Sequence, residues 1–203
     1  SIKCINALKL TKEELKFNAL AFQAGKHHTI IFSGNNNNKE INLWDYDKEK
    51  HIEKIENGSN SFITCMIVDY KKNYLLSTGN DGAIDIWDLA TKPGDKTINM
   101  KLIRTIKDPD ITNNYKPRIN DLILLPRTNI MVICNNNKKI YFYDMGRKEI
   151  THTIKRENEI TCLSCLESYG KLLCGTKQKM IIEINLNDEL AKAGYRQVFD
   201  KYP

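Results

Sequence analysis

The sequence predicts an all-β fold assembled from repeated four-stranded units, and three observations carry that prediction. Apolar residues come in short β-branched and aromatic runs separated by turn residues, as in STGNDGAIDIWDL at residues 77–89. The pattern also recurs without a gap at an offset of 97 residues. Ile63-Thr64-Cys65-Met66 lies over Ile160-Thr161-Cys162-Leu163, Leu75-Leu76-Ser77 over Leu172-Leu173-Cys174, and Trp87-Asp88-Leu89 over Ile184-Asn185-Leu186. Finally, no stretch approaches the roughly 18 apolar residues of a membrane span, so a soluble chain is expected.

Two further copies complete the series. At an offset of 56 from the Trp87 unit lie Ile119-Asn120-Asp121-Leu122, Met131-Val132-Ile133 and Ile140 through Met145. Ahead of them, Thr29 through Gly34 and Ile41-Asn42-Leu43-Trp44-Asp45 form a copy whose connecting turn is two residues longer. The equivalent positions Trp44, Trp87, Tyr143 and Ile184 are spaced by 43, 56 and 41 residues.

Residues 1–16 are expected to hold the end of a preceding unit, with a strand at 2–8 and a capping box at Thr11 through Glu14 opening one helical turn. The four units then occupy 17–56, 57–108, 109–157 and 158–203 of one domain. In the second, strands A to D fall at 62–69, 74–78, 83–88 and 100–106, and its extra length lies in two Pro-bearing loops, 91–95 and 107–117. In the fourth, Asn187-Asp188-Glu189-Leu190 reads as a capped helix start, Gly194 as its stop and 195–199 as a last strand.

Composition narrows the functional classes. The six cysteines, at 4, 65, 134, 162, 165 and 174, mostly sit in apolar runs and read as buried free thiols of a reducing, cytoplasmic setting. Cys162 and Cys165 have the spacing of half a zinc site, but three residues apart on a strand they face opposite ways. The chain starts at Ser1 without Met or a signal segment, so its first residue is not expected to be the natural start. The net charge of +6 is carried mainly by lysine, 25 of the 31 basic residues, which permits nucleic acid without indicating it. The asparagine runs 35–38 and 135–137 read as compositional bias.

Leu76-Ser77, Asp81-Gly82, Ile84, Ile86 and Trp87-Asp88-Leu89 resemble the second half of a WD40 repeat. The resemblance spans nearly the whole chain and implies a β-propeller of about four four-stranded blades, part of a larger propeller because that family most often has seven. It further implies blade-fastening roles for Trp44 with Ser33, and for Trp87 with Ser77 and Asp81. No histidine stands at the family's Gly-His position, and the third and fourth units substitute Tyr143 and Ile184 for tryptophan. The Trp-Asp-x-Arg common in propeller receptors of cullin ubiquitin ligases is absent, as is the Phe-Arg-Arg-Gly of phosphoinositide-binding propellers.

No constellation for catalysis emerges. There is no phosphate-binding Gly-rich loop, the pairs Asp45-x-Asp47 and Asp108-x-Asp110 lack the rest of a calcium loop, and the histidines (27, 28, 51, 152) read as exposed or rim residues. No enzyme activity, cofactor, metal or small-molecule substrate is expected. In the family the B-to-C turns and D-to-A loops share the face most used for partners. Here that face would gather Lys39, Lys138, Lys139, Lys177 and Lys179 with Lys107, Asp110, Tyr115, Lys116 and Arg118. The expectation is a scaffold for other proteins of a large assembly, cytoskeletal or ciliary in setting. The alternative is an RNA- or ribosome-associated propeller binding through its lysines.

Overall fold

The computed structural model describes residues 17–24, 29–35, 39–56, 58, 61–89, 100–112, 114–125 and 128–195. Four antiparallel sheets follow one another along the chain, each built from consecutive strands in meander order. The first comprises β1 (Phe17–Ala24), β2 (Thr29–Asn35), β3 (Glu40–Asp45) and β4 (Lys50–Glu56). The second comprises β5 (Ile63–Asp69), β6 (Tyr74–Gly79), β7 (Ala83–Asp88) and β8 (Lys101–Lys107). The third comprises β9 (Ile119–Leu124), β10 (Ile130–Asn135), β11 (Lys139–Asp144) and β12 (Glu149–Lys155). The fourth has three described strands, β13 (Ile160–Leu166), β14 (Lys171–Thr176) and β15 (Ile181–Asn185), followed by helix α1 (Leu186–Lys192).

The repeat read from the sequence is a repeat of hydrogen-bond register. Every strand A carries a bulge at the same place, between Phe17 and Ala19, Ile63 and Cys65, Ile119 and Asp121, and Ile160 and Cys162. Trp44, Trp87, Tyr143 and Ile184 pair with Ile31, Leu75, Met131 and Leu172 at the same step of the B–C ladder. Left-handed turn residues match as well: Gly82, Lys138 and Lys179 in the B–C turns (φ 72°, 63° and 63°), and Asn73 and Gly170 in the A–B turns (57° and 58°). The alternation of Ile, Leu and aromatic residues with polar ones is thus the side-chain alternation of real strands.

The described chain forms two compact units. One runs to Gly79 and takes in Ile84–Ile106; the other takes Asn80–Ala83 and the chain from Lys107 onward. In the first, Phe32, Ile41 and Leu43 of the first sheet enclose a core with Ile63, Met66, Val68, Leu75 and Trp87 of the second. In the other, Ile130, Val132, Ile140 and Phe142 do the same with Leu163, Leu172, Cys174 and Ile184. Phe32, Phe142 and Leu75 are wholly buried, each worth about 1.5–3 kcal/mol of transfer free energy. No helix among the described residues is long and apolar enough to cross a membrane.

Three expectations need adjustment. Helix α1 begins at Leu186, not Asn187, because Asn185 is the cap: its side chain accepts from the Asn187 and Asp188 amides. Gly194, at φ 84°, follows the helix end as expected. Cys162 is exposed rather than buried, and Cys65 and Cys165 are half-buried; Cys134 and Cys174 are buried. His152 is not a free rim residue either, since its Nε2 lies 2.6 Å from Glu189 Oε2 and ties β12 to α1. His51 is half-buried beside Trp44, with the ring centroids 5.0 Å apart. The segments expected at 2–8, 11–14 and 91–95, the strand over 196–199, Cys4, His27 and His28 lie outside the described residues, and Tyr195 is described but not in a strand.

Candidate functional site

The long loop after β8 folds onto the turn between β10 and β11, and two aspartates fix it there. Asp108 is 8% exposed and takes Asn135 Nδ2 at 2.7 Å. It also receives the Asp110 amide at 2.8 Å, which bends the loop back on itself. Asp110 receives Lys139 Nζ at 2.7 Å, Asn137 Nδ2 at 2.8 Å and the Tyr141 hydroxyl at 2.8 Å. Tyr115 reaches the same turn, its hydroxyl 2.5 Å from Asn137 Oδ1 and 3.2 Å from Asn136 Oδ1, while the Arg118 amide donates to Asn136 Oδ1 at 3.0 Å. All three asparagines of the 135–137 run therefore hold the loop.

The environments of the two carboxylates push them apart. Burial raises Asp108, outweighing the Asp110 amide and Asn135. Burial also works against ionisation of Asp110, but there the donors Lys139, Tyr141 and Asn137 prevail and hold it below the usual carboxylate range. Burial, then the hydrogen bond to Asp110, pushes the Tyr141 phenol well above its ordinary value, and burial raises Tyr115 as well. A second charge cluster lies beside β13. Glu159 binds Lys177 at 3.0 Å, Asn120 at 3.2 Å and Arg118 at 3.9 Å, and these partners, Lys177 foremost, overcome its burial and lower its pKa.

Within this unit the expected rim sorts into two groups. Asp110, Tyr115, Arg118 and Lys139 are engaged in the loop-holding contacts, and Lys177 is paired with Glu159. Lys107, Lys116, Lys138 and Lys179 are exposed and make no ion pair among the described residues. Lys39, in the other unit, is also exposed. Sequence reasoning missed Asn135, Asn137, Tyr141 and Glu159 as structural partners. The only signal for them was position: Asn135 and Asn137 flank the same turn that carries Lys138.

The fastening positions have their own geometry. Trp44 Nε1 donates to Ser33 Oγ at 2.8 Å and Trp87 Nε1 to Ser77 Oγ at 3.0 Å. Asp81 caps its own turn, with its Oδ1 3.3 Å from the Ala83 amide.

No protein-family model matches the chain. It is 28% identical over 112 residues, 55% of this chain, to a WD40 repeat-containing protein, smu1, of Dictyostelium discoideum. It is 20% identical over 146 residues, 70% of this chain, to the target of rapamycin complex subunit wat1 of Schizosaccharomyces pombe. Among solved structures it resembles the β-propeller domain of Myceliophteria thermophila Cps50 (Swd1), with a TM-score of 0.67, 14% identity, and coverage of 84% of this chain and 53% of that one. It also resembles the computationally designed Ika4 protein, with a TM-score of 0.63, 18% identity, and coverage of 89% of this chain and 98% of that one.

The relatives of this chain are WD40-repeat proteins. The fold is correspondingly all-β and WD40-like, with four-stranded blades. The matched chain covers 20% of the Dictyostelium relative and 41% of the yeast relative, so it corresponds to part of each. Relative to the WD40 pattern, the first two blades keep the Trp–Ser pair. At the same ladder positions the third blade carries Tyr143 and Ile133, and the fourth carries Ile184 and Cys174, which lie in one apolar core.

Proposed function

We propose that this chain is a non-catalytic scaffold for protein–protein interaction, a WD40-like propeller segment of a multi-subunit assembly that meets an acidic partner surface through Lys107, Lys116, Lys138 and Lys179. The observation that carries the reading is the loop network. Asp108 and Asp110 spend their hydrogen bonds on holding the loop, and Asp110 pairs with Lys139 rather than with the four outer lysines. A fixed loop with exposed cations that make no ion pair among the described residues suits electrostatic steering of an acidic segment, because little ordering entropy is lost when the partner arrives. The name of the yeast relative, a subunit of a complex, supports the multi-subunit setting.

Within that reading, a cytoplasmic assembly of cytoskeletal or ciliary type is the context we propose, supported by the divergence of the fastening positions in the third and fourth blades. Localising a tagged copy tests it. The scaffold itself is tested by quantitative affinity capture of the protein as its cell makes it, against a variant with Lys107, Lys116, Lys138 and Lys179 all changed to Glu. Loss of at least one captured protein by tenfold or more supports the rim; an unchanged set removes it. Capture of ribosomal RNA that falls steeply with added salt would instead favour the nucleic-acid reading.

A further inference from the structure

One position of the repeat carries opposite charges in two successive units. Asp108 directly follows β8, and its amide donates to the Gly82 carbonyl at 2.8 Å; Arg156 directly follows β12, and its amide donates to the Lys138 carbonyl at 2.8 Å. Gly82 and Lys138 are the left-handed residues of matching B–C turns, so Asp108 and Arg156 are equivalent although the loops after them differ in length.

Asp108 finds partners in the next sheet, Asn135 Nδ2 at 2.7 Å and the Tyr141 hydroxyl at 3.5 Å. In the fourth sheet those two places belong to Thr176 and Ile182. The ladders establish this: Asn135 pairs with Ile119 as Thr176 does with Ile160, and Tyr141 with Ile133 as Ile182 does with Cys174. Ile182 carries no acceptor. The Thr176 hydroxyl is used within its own turn, donating to the Met180 carbonyl and accepting from the Met180 amide, both at 3.2 Å.

Arg156 is accordingly left without an acceptor. Its guanidinium makes no hydrogen bond or ion pair among the described residues, and its Nε is closed off from solvent as well. Arg118 and Arg147 differ: Arg118 donates to Asn120 at 2.9 Å and lies 3.9 Å from Glu159, and Arg147 lies 3.6 Å from Asp144. The acids nearest Arg156 in the chain do not serve it. Glu159 is paired with Lys177, and Glu157 is exposed. A buried donor without a partner is rare in folded proteins and calls for a reason.

Burial pushes the Cys174 thiol of β14 up to about 11, against an opposing pull from Arg156, which places the half-buried arginine beside that strand. The loop is held on its other side too, the Lys177 amide donating to the Glu159 carbonyl at 3.0 Å, so residues 156–159 lie between the third and fourth B–C turns. Exposed Lys138 and Lys179 stand on those two turns. With Nε held inside, the terminal nitrogens remain to donate, and their planar pair fits both oxygens of one carboxylate. The preceding junction shows this rim taking a carboxylate already: Asp110 receives Lys139, Asn137 and Tyr141.

We propose that Arg156 anchors a carboxylate side chain of the partner. An aspartate or glutamate of an acidic segment docks against its terminal nitrogens, with Lys138 and Lys179 to either side. This rests on the acidic-partner reading above and adds to it a directional contact, whereas the lysines act at longer range. The held stem loses few rotamers when the carboxylate arrives.

Fluorescence anisotropy of a fluorescein-labelled hexaglutamate peptide on the full-length protein tests it. Arg156→Gln should weaken binding about tenfold, and Arg156→Lys, which keeps the charge but not the planar pair, should stay about threefold weaker than wild type or worse. A loss below about threefold in Arg156→Gln, full recovery in Arg156→Lys, or no binding to the wild type would overturn the anchor. A variant with Lys107, Lys116, Lys138 and Lys179 changed to Glu separates the two readings. Loss there with Arg156→Gln unaffected keeps the lysine rim and overturns the anchor; loss at Arg156 alone keeps the anchor and removes the rim. A phosphoserine peptide of the same length that binds about tenfold tighter than hexaglutamate through Arg156 would overturn the carboxylate assignment. Should the variants fail to fold, phenylglyoxal supplies a reading on the wild type. Hexaglutamate should slow modification of Arg156 about fivefold relative to hexaglutamine, and equal rates would overturn the proposal.

Discussion

Trp87 Nε1 donates to Ser77 Oγ at 3.0 Å across the β6–β7 ladder, with the two residues 4% and 1% exposed. At that burial no water can replace the serine, so Ser77→Ala strands an indole N–H in an apolar core. The expected cost is about 1–3 kcal/mol, seen as a lower urea midpoint with an unchanged slope. If Ser77→Ala matches the wild type within about 0.3 kcal/mol, the contact contributes register at most, not stability.

The loop aspartates should give pH dependences of opposite sign. Asp110 is lowered in the folded chain, so its contribution is present above the unfolded carboxylate value near pH 4 and is lost as pH falls through the folded value. Asp108 is raised, so ionising it costs stability once pH exceeds its unfolded value, and that cost is complete above the folded value. Relative to wild type, Asp110→Asn should therefore lose stability as pH rises from about 3 to 5, and Asp108→Asn should gain over a window that starts near pH 4. Denaturation midpoints across pH 3–7 decide it; parallel curves for the two variants would contradict the assignment.

Helix α1 follows β15 directly in the chain, and its anchor is Glu189. This carboxylate takes His152 Nε2 at 2.6 Å and Lys192 Nζ at 2.8 Å, and against its burial these donors hold it ionised. Glu189→Gln should leave β5–β8 unchanged and raise amide exchange across Leu186–Lys192 by about threefold to tenfold, the equivalent of roughly 1 kcal/mol. Uniform acceleration through every sheet would instead mean that the helix opens only with the whole chain.

Much of this was legible in the sequence, and the limits follow physical lines. Strand positions were readable because apolar alternation and β-branched content report directly on a half-buried ladder; the second sheet's strands fall within one residue of expectation. The equivalence of Trp44, Trp87, Tyr143 and Ile184 was readable because register is a sequence distance. The loop network was not, because Asn135, Asn137 and Tyr141 meet Asp108 and Asp110 across about 30 residues of chain, and asparagine in a turn looks the same whether it is idle or engaged. Cys162 was misjudged for a related reason. An apolar run predicts a strand, but which face is covered depends on a neighbouring sheet that the local pattern does not contain.

Gly82 illustrates the same point and yields the sharpest contrast in the molecule. Lys138 and Lys179 adopt its left-handed φ in the equivalent turns, so the turn alone does not require glycine. What differs is the loop overhead: a Cβ on Gly82 would meet the Pro117 carbonyl oxygen at 2.8 Å, backbone that cannot step aside cheaply, and Ile111 side-chain atoms at 3.2 Å. The Asp108 amide is also bonded to the Gly82 carbonyl at 2.8 Å, which fixes that approach. Gly82→Ala is therefore expected to destabilise by about 2 kcal/mol or more, the left-handed cost plus the clash. Lys138→Gly and Lys179→Gly remove left-handed strain without meeting a loop, and the relief of about 1–2 kcal/mol outweighs glycine's extra chain entropy of about 0.5–1 kcal/mol. Each should leave the chain unchanged or up to about 1 kcal/mol more stable, read from paired urea curves. A Gly82→Ala variant as stable as wild type would mean that the loop does not sit over this turn in solution.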